Sequence, residues 1–165
     1  MFRPVKLPTG VPGRLLLHSM PGRLEELDAA WTQVTKDAVR LIVCLVPASE
    51  ISEKSAAYGR AIETGTVPCR LRQFEIPEFG VPHDRAGFWK LARDVAGRLR
   101  GGEAVLIHCG AGIGRTGTLA ASVLIALGET ANRAQDAVAQ AGSGTDRAEQ
   151  RELIAWCATQ ARETT

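Results

Sequence analysis

Residues 104–117 read AVLIHCGAGIGRTG. One cysteine, Cys109, opens a glycine-rich turn of Gly110, Ala111, Gly112, Ile113 and Gly114, and Arg115 closes it. A loop of this composition can aim several backbone N–H groups at one point, and the start of a following helix adds partial positive charge there. The expected product is a cradle for an anion. The same donors would stabilise the thiolate of Cys109 and make it a nucleophile near neutral pH. Arg115 carries a planar fork that can hold two oxygens of a phosphate bidentately, which a lysine cannot do. Thr116 brings a hydroxyl that could hydrogen-bond the cysteine sulfur and steady it as a leaving group in a second step. His108 precedes the nucleophile, where a strand-end neighbour points the other way, so it is badly placed as a base for it.

These residues need a strand to deliver them and a helix to receive them. Ala104–Ile107 is a short apolar run suited to a buried strand, and Thr118–Leu127 is an alanine-rich helix expected to be buried on most sides. Upstream, Pro4, Pro8 and Pro12 make residues 1–13 an extended arm laid on the domain. Arg14–Ser19 reads as a first strand. Leu24, Leu27, Trp31 and Val34 then form the stripe of a helix running to about Ala38. The continuous apolar run Arg40–Val46 suits a strand buried on both faces, stopped by Pro47. A helix over Glu50–Glu63 and a strand over Val67–Phe74 follow.

The segment IPEFGVPHD, residues 76–84, is too rich in proline and glycine for regular structure. Asp84 reads as the N-cap of a helix to Arg100 with Phe88, Leu91, Val95 and Leu99 on one stripe. Two last helices are expected at Asn132–Ala141 and Asp146–Ala161, the second opening with Asp146 and Glu149 at capping-box spacing. Trp31, Trp89 and Trp156 fall on helical stripes and are expected in the core. Strands alternating with helices predict one α/β domain over 1–165: a mainly parallel sheet of four to five strands flanked by helices, with ligands beyond the strands' carboxyl ends.

The whole chain is 165 residues, enough for one core. Twenty basic against eighteen acidic side chains leave a net charge of +2, too little to argue for nucleic acid or a membrane as the main partner. Four scattered cysteines and a 45% apolar share read as a reduced cytoplasmic protein, expected to be a monomer. The proline-broken N-terminus is neither a signal peptide nor a spanning helix. His18 and His83 have no cysteine or acidic partner at ligand spacing, and no CxxC or HExxH occurs, so no metal and no cofactor are expected.

His108-Cys109-Gly110-Ala111-Gly112-Ile113-Gly114-Arg115-Thr116 resembles the HCxxGxxRT signature of cysteine-dependent protein tyrosine and dual-specificity phosphatases. The order of elements, with MPG at 20–22, IPxxGxPxD at 76–84, GSG at 142–144 and EQ at 149–150, is most similar to the small single-domain group that includes the cyclin-dependent-kinase-associated phosphatase and its prokaryotic relatives. The resemblance implies a metal-free phosphatase of the Cys-x5-Arg type that passes through a cysteinyl phosphate. It implies that His108 hydrogen-bonds loop backbone and that a late-helix glutamine, matched by Gln150, helps position water; a plain surface glutamine is the rival reading.

The family also draws a general acid from an upstream loop of the pattern IPDxGxPD. Here Glu78 stands where that aspartate would, a departure that lengthens the side chain by one methylene. Asp84 is the alternative acid. The loop lacks lysine, unlike relatives that take phosphoinositides, which favours phosphorylated protein: phosphotyrosine first, phosphoserine and phosphothreonine as well. A small non-protein phosphomonoester and a pseudophosphatase that binds without turnover stay open. Gly112–Gly117 also fits GxGxxG, but the residues after it stay helical where a dinucleotide fold needs a second strand. Rhodaneses and arsenate reductases share a Cys-to-Arg loop but not the acid loop and the His-Cys pair. Some relatives carry a cysteine near the place of Cys44 that traps an oxidised nucleophile, while a small buried apolar residue is the plainer reading.

Overall fold

The apolar run Ala104–His108 forms a strand buried along its whole length, and the sheet is ordered around it. The computed structural model describes residues 1–164. The strands are β1 (Arg3–Val5), β2 (Arg14–His18), β3 (Val39–Cys44), β4 (Arg70–Gln73) and β5 (Ala104–His108). The helices are α1 (Leu27–Lys36), α2 (Ala48–Lys54), α3 (Ala56–Thr64), α4 (Arg85–Arg100), α5 (Gly114–Ala126), α6 (Ala131–Gln140) and α7 (Ala148–Glu163). Strand order is β1-β2-β5-β3-β4, with β1 antiparallel to β2 and every other pair parallel. The expected mainly parallel α/β sheet is therefore present, with five strands.

Period-two alternation divides the core. Leu16, Ile42 and Leu106 lie side by side in register and face a small cluster with Val34 of α1. Their neighbours Leu15, Leu17, Leu41, Val43, Val105 and Ile107 face the larger cluster beneath α4, α5, α6 and α7. Within that cluster α5 is the innermost helix, and leucines such as Leu119 and Leu124 are fully buried. Each contributes about 2 kcal/mol of transfer free energy.

Several boundaries differ from those expected, each for a local reason. The segment 50–63 is not one helix: Ser55 adopts φ −154, and its hydroxyl accepts from Tyr58 N at 3.3 Å to start α3 afresh. The strand expected over 67–74 is only Arg70–Gln73, since Pro68 offers no N–H to a ladder. Helix α1 begins at Leu27, leaving Leu24 exposed. Helix α5 begins at Gly114 rather than Thr118, and its two glycines there serve close approach: a Cβ on Gly114 would collide with the Asp146 carboxylate, and one on Gly117 with the Gly144 backbone.

The proline-rich arm supplies an edge strand at Arg3–Val5. The start of α7 is capped one residue later than expected, with Gln150 in place of Glu149: its Oε1 accepts from Asp146 N at 2.7 Å and Arg147 N at 3.3 Å. Trp89 is buried, whereas Trp31 and Trp156 are only partly so, the latter beneath the Arg85 guanidinium.

Candidate active site

The glycine loop leaves β5 at the carboxyl ends of the three central strands, where His108 pairs in register with His18 and Cys44. The carbonyls of Cys109, Gly110 and Gly112 are tied to the protein. Cys109 O is 3.1 Å from His108 Nδ1, Gly110 O accepts from Met20 N at 3.1 Å, and Gly112 O accepts from Arg3 Nη2 at 2.6 Å and from Ser143 Oγ. In a trans peptide the C=O and the next N–H point in opposite directions. Each tie thus turns away the N–H of the following residue, Gly110, Ala111 and Ile113, and none of these three is spent on a protein acceptor among the described residues. Free amides gathered in this way are what an anion cradle requires. The fourth amide, Gly112 N, donates to Cys109 Sγ at 3.3 Å. Gly112 has φ +76, and a Cβ there would run into the His18 carbonyl, so no other residue fits.

His108 is fully buried, and desolvation pushes its pKa down to about 4, so the ring is neutral. A carbonyl only accepts, which fixes Nδ1 as the protonated nitrogen facing Cys109 O. The other nitrogen then accepts from the Tyr58 hydroxyl at 2.8 Å. His108 thus braces loop backbone.

Arg115 is buried and doubly anchored. Its Nη1 and Nη2 donate to Glu50 Oε2 and Oε1 at 2.7 and 2.8 Å, and Nη1 donates again to Ile76 O at 3.0 Å. Of five guanidinium hydrogens three are spent. Nε–H and one Nη2–H remain on a single edge, a fork of the spacing that two phosphate oxygens require. Burial alone would raise the Glu50 carboxyl, but hydrogen bonds from Arg115 and Lys54 outweigh it and hold it at about 2. Lys54 Nζ reaches Glu50 Oε1 at 2.7 Å and Glu78 Oε1 at 3.1 Å. This group crowds the cradle: a Cβ on Gly110 would lie 3.0 Å from Glu50 Oε1 and 3.3 Å from both Arg115 Nη2 and Lys54 Nζ. The hydroxyl of Thr116, expected against the Cys109 sulfur, is buried without any hydrogen-bond partner.

The segment 76–84 closes over this cluster. Ile76 is buried and its N donates to Leu45 O at 3.0 Å, and Gly80 N returns to Pro77 O at 2.9 Å to make a turn. Glu78 stands half-exposed on that turn beside Lys54. Phe79, next to it, has φ +61 and is 53% exposed, with the Arg147 guanidinium 5.0 Å from its ring centroid. Gln150 is fully buried, which removes the reading of a plain surface side chain, and its Nε2 donates to Gly80 O at 3.2 Å. The carboxylate of Asp84 accepts from Gly87 N at 2.8 Å and caps α4.

The family model described as Swiss Army Knife protein, DSP-PTPase phosphatase domain, matches residues 9–164. The chain belongs to this phosphatase family. No curated protein matches it in sequence. Among solved structures the phosphatase domain is similar to Tk-PTP in its active form, at 23% identity and TM-score 0.73 over 91% of this chain and 95% of that one. It is similar to kinase-associated phosphatase carrying serine for its catalytic-site cysteine, at 16% identity and TM-score 0.82 over 98% and 96%. It also resembles PTPMT1 in complex with PI(5)P, at 19% identity and TM-score 0.74 over 91% and 93%.

In this phosphatase domain the loop residues singled out by the sequence lie together, whereas Glu50, Lys54, Arg3, Ser143 and Tyr58, to which the sequence assigns no role, reach them from other elements. Glu50 and Lys54 had a visible signal, an acid and a base four residues apart on one helical segment. Nothing in the sequence said that the pair faces Arg115. Cys44 is buried, its thiol pushed up to about 11 by burial, in keeping with a small core residue. Among the described residues there is no cluster of His, Cys, Asp and Glu disposed to hold a metal ion, and no helix long and apolar enough to cross a membrane.

Proposed function

We propose that the protein is a metal-independent phosphomonoesterase that works through a cysteinyl phosphate. The observation that carries this reading is the unspent edge of Arg115 together with the unspent amides of Gly110, Ala111 and Ile113 around a cysteine sulfur that already accepts an amide. These groups supply the positive charge that a transferring phosphoryl group needs over its three oxygens. The Cys109 thiolate attacks phosphorus, the S–P bond forms as the ester P–O bond breaks, and Glu78 gives its proton to the departing oxygen. Glu78, now a carboxylate, takes a proton from water, which attacks phosphorus and releases the thiolate. Glu78 is preferred to Asp84 as acid because the latter is occupied as a helix cap.

Phosphotyrosine is the favoured substrate class, with phosphoserine and phosphothreonine behind it. Phe79 on the acid turn and Ile113 on the cradle are among the large apolar side chains most exposed on the surface, at 53% and 42%, and they offer apolar contact to an aryl leaving group. Lys54 qualifies the argument from a lysine-free loop, because α2 brings an ammonium to Gly110. A phosphoinositide such as the one bound by PTPMT1 is therefore the second reading.

Turnover of p-nitrophenyl phosphate, with and without chelator, tests the chemistry. Cys109→Ser should abolish it, Glu78→Gln should lower it about a hundredfold, and Asp84→Asn should spare it. Activity retained in Cys109→Ser would end the proposal, and phosphopeptide binding without turnover in the parent would identify a pseudophosphatase. A phosphotyrosyl peptide set against a soluble phosphoinositide decides the substrate class.

A further inference from the structure

Gln150 is fully buried, and its amide joins two segments far apart in the sequence. Its Oε1 spends both lone pairs on Asp146 N and Arg147 N, at the start of α7, and its Nε2 donates to Gly80 O across to the acid turn. Arg147, one of the two residues so capped, lays its guanidinium over Phe79 of the same turn. The turn itself is strained. Phe79 holds φ +61, a left-handed conformation that an aromatic side chain rarely adopts and that costs about 1–2 kcal/mol. Such a conformation persists only where its surroundings hold it, and Phe79 and Gly80, the two residues after Glu78, both take contacts from the start of α7.

We propose that Gln150, with Arg147, is a positioning residue that latches the acid turn to α7 and so sets where Glu78 presents its proton. The proposal rests on Glu78 being the general acid. It differs from a water-positioning role in the step affected. A latch on the acid governs departure of the leaving oxygen, whereas positioned water acts only after that departure.

The two roles separate in kcat/KM, which reports the steps up to and including loss of the leaving group and is blind to later hydrolysis. Phenyl phosphate, whose phenoxide leaves poorly without a proton, is compared with p-nitrophenyl phosphate, whose phenoxide leaves readily. Gln150→Glu keeps an acceptor for Asp146 and Arg147 and loses the amide donor to Gly80. Gln150→Met removes both, and Arg147→Met removes the cation over Phe79 while keeping its bulk. Melting temperatures identify any variant that has failed to fold.

The latch predicts that kcat/KM for phenyl phosphate falls about tenfold more than for p-nitrophenyl phosphate in both Gln150 variants, and less steeply in Arg147→Met. Glu78→Gln shows the same selectivity at full strength. Unchanged kcat/KM with reduced kcat in the Gln150 variants would assign water positioning and overturn the latch. An equal loss on both substrates would also overturn it, as a general lesion. If Glu78→Gln is itself unselective, the acid assignment fails and the latch falls with it; a selective Glu78→Gln beside unselective Gln150 variants sinks the latch alone.

Discussion

Glu50→Gln tests the anchoring of Arg115, and two independent routes give its size. Glutamine resembles the protonated glutamate, so the cost at neutral pH is the stabilisation that ionised Glu50 contributes. Its pKa is held at about 2 in the fold against 4.5 for an unperturbed glutamate, which at 1.36 kcal/mol per unit corresponds to about 3 kcal/mol. The other route counts what is left behind. Gln keeps one acceptor and turns a donor toward a guanidinium hydrogen, leaving a buried cation half-paired, a lesion of about 3–5 kcal/mol. For a chain of this length 3 kcal/mol lowers the melting temperature by about 10 °C.

The pH dependence has a definite sign. Glu50 has a depressed folded pKa, so its contribution is present above about 4.5 and is lost as pH falls through about 2. Urea unfolding of the parent and of Glu50→Gln should differ by about 3 kcal/mol at pH 7 and converge as pH falls from 4.5 toward 2. In parallel, kcat/KM should drop about a hundredfold as the free edge of Arg115 loses its orientation. A difference below about 1 kcal/mol at pH 7, or one that does not change with pH, would refute the reasoning.

Two further expectations concern the loop itself. His108 has its pKa lowered from 6.5 to about 4, so it stabilises the fold fully above 6.5 and loses about 3 kcal/mol as pH falls toward 4; His108→Gln should flatten stability across that window in urea titrations. Gly112→Ala should abolish turnover and cost more than 2 kcal/mol, because its Cβ meets the His18 carbonyl at positive φ, while Gly144→Ala, with open space around its Cβ, should be neutral in the same melting and turnover assays.

What could be read ahead of the structure was what local chemistry dictates. Cys109, the glycines and Arg115 are contiguous, so their spacing alone forces a cradle between a strand and a helix. Asp84 was legible as a cap for the same reason, since its acceptor role depends on residues three positions away. Glu50 could not be placed, because its bond to Arg115 exists only once β3 and β5 lie side by side and α2 follows the end of β3. Gln150 was found by resemblance, yet its burial against Gly80 depends on α7 reaching the acid turn, a contact no periodicity announces. The break at Ser55 was missed because helix propensity outvoted a hydroxyl that prefers to cap.

The placement of Glu50 joins the proposed cradle and the proposed acid into a single mechanical unit. One carboxylate orients the fork of Arg115 and, through Lys54 on its own helix, the side chain of Glu78. The same Arg115 returns a hydrogen bond to Ile76 O, the backbone from which the acid turn departs. The amino-terminal root of the turn is therefore fixed by Arg115, the proposed phosphate-binding residue, and Phe79 and Gly80 after Glu78 are contacted from the start of α7. A glutamate in the acid position carries one more rotatable bond than an aspartate and gives up more conformational freedom when it is aimed. Fastening both ends of the turn and setting Lys54 against the carboxylate is a physical answer to that added freedom, so the departure at Glu78 and the surrounding clamps are best understood together.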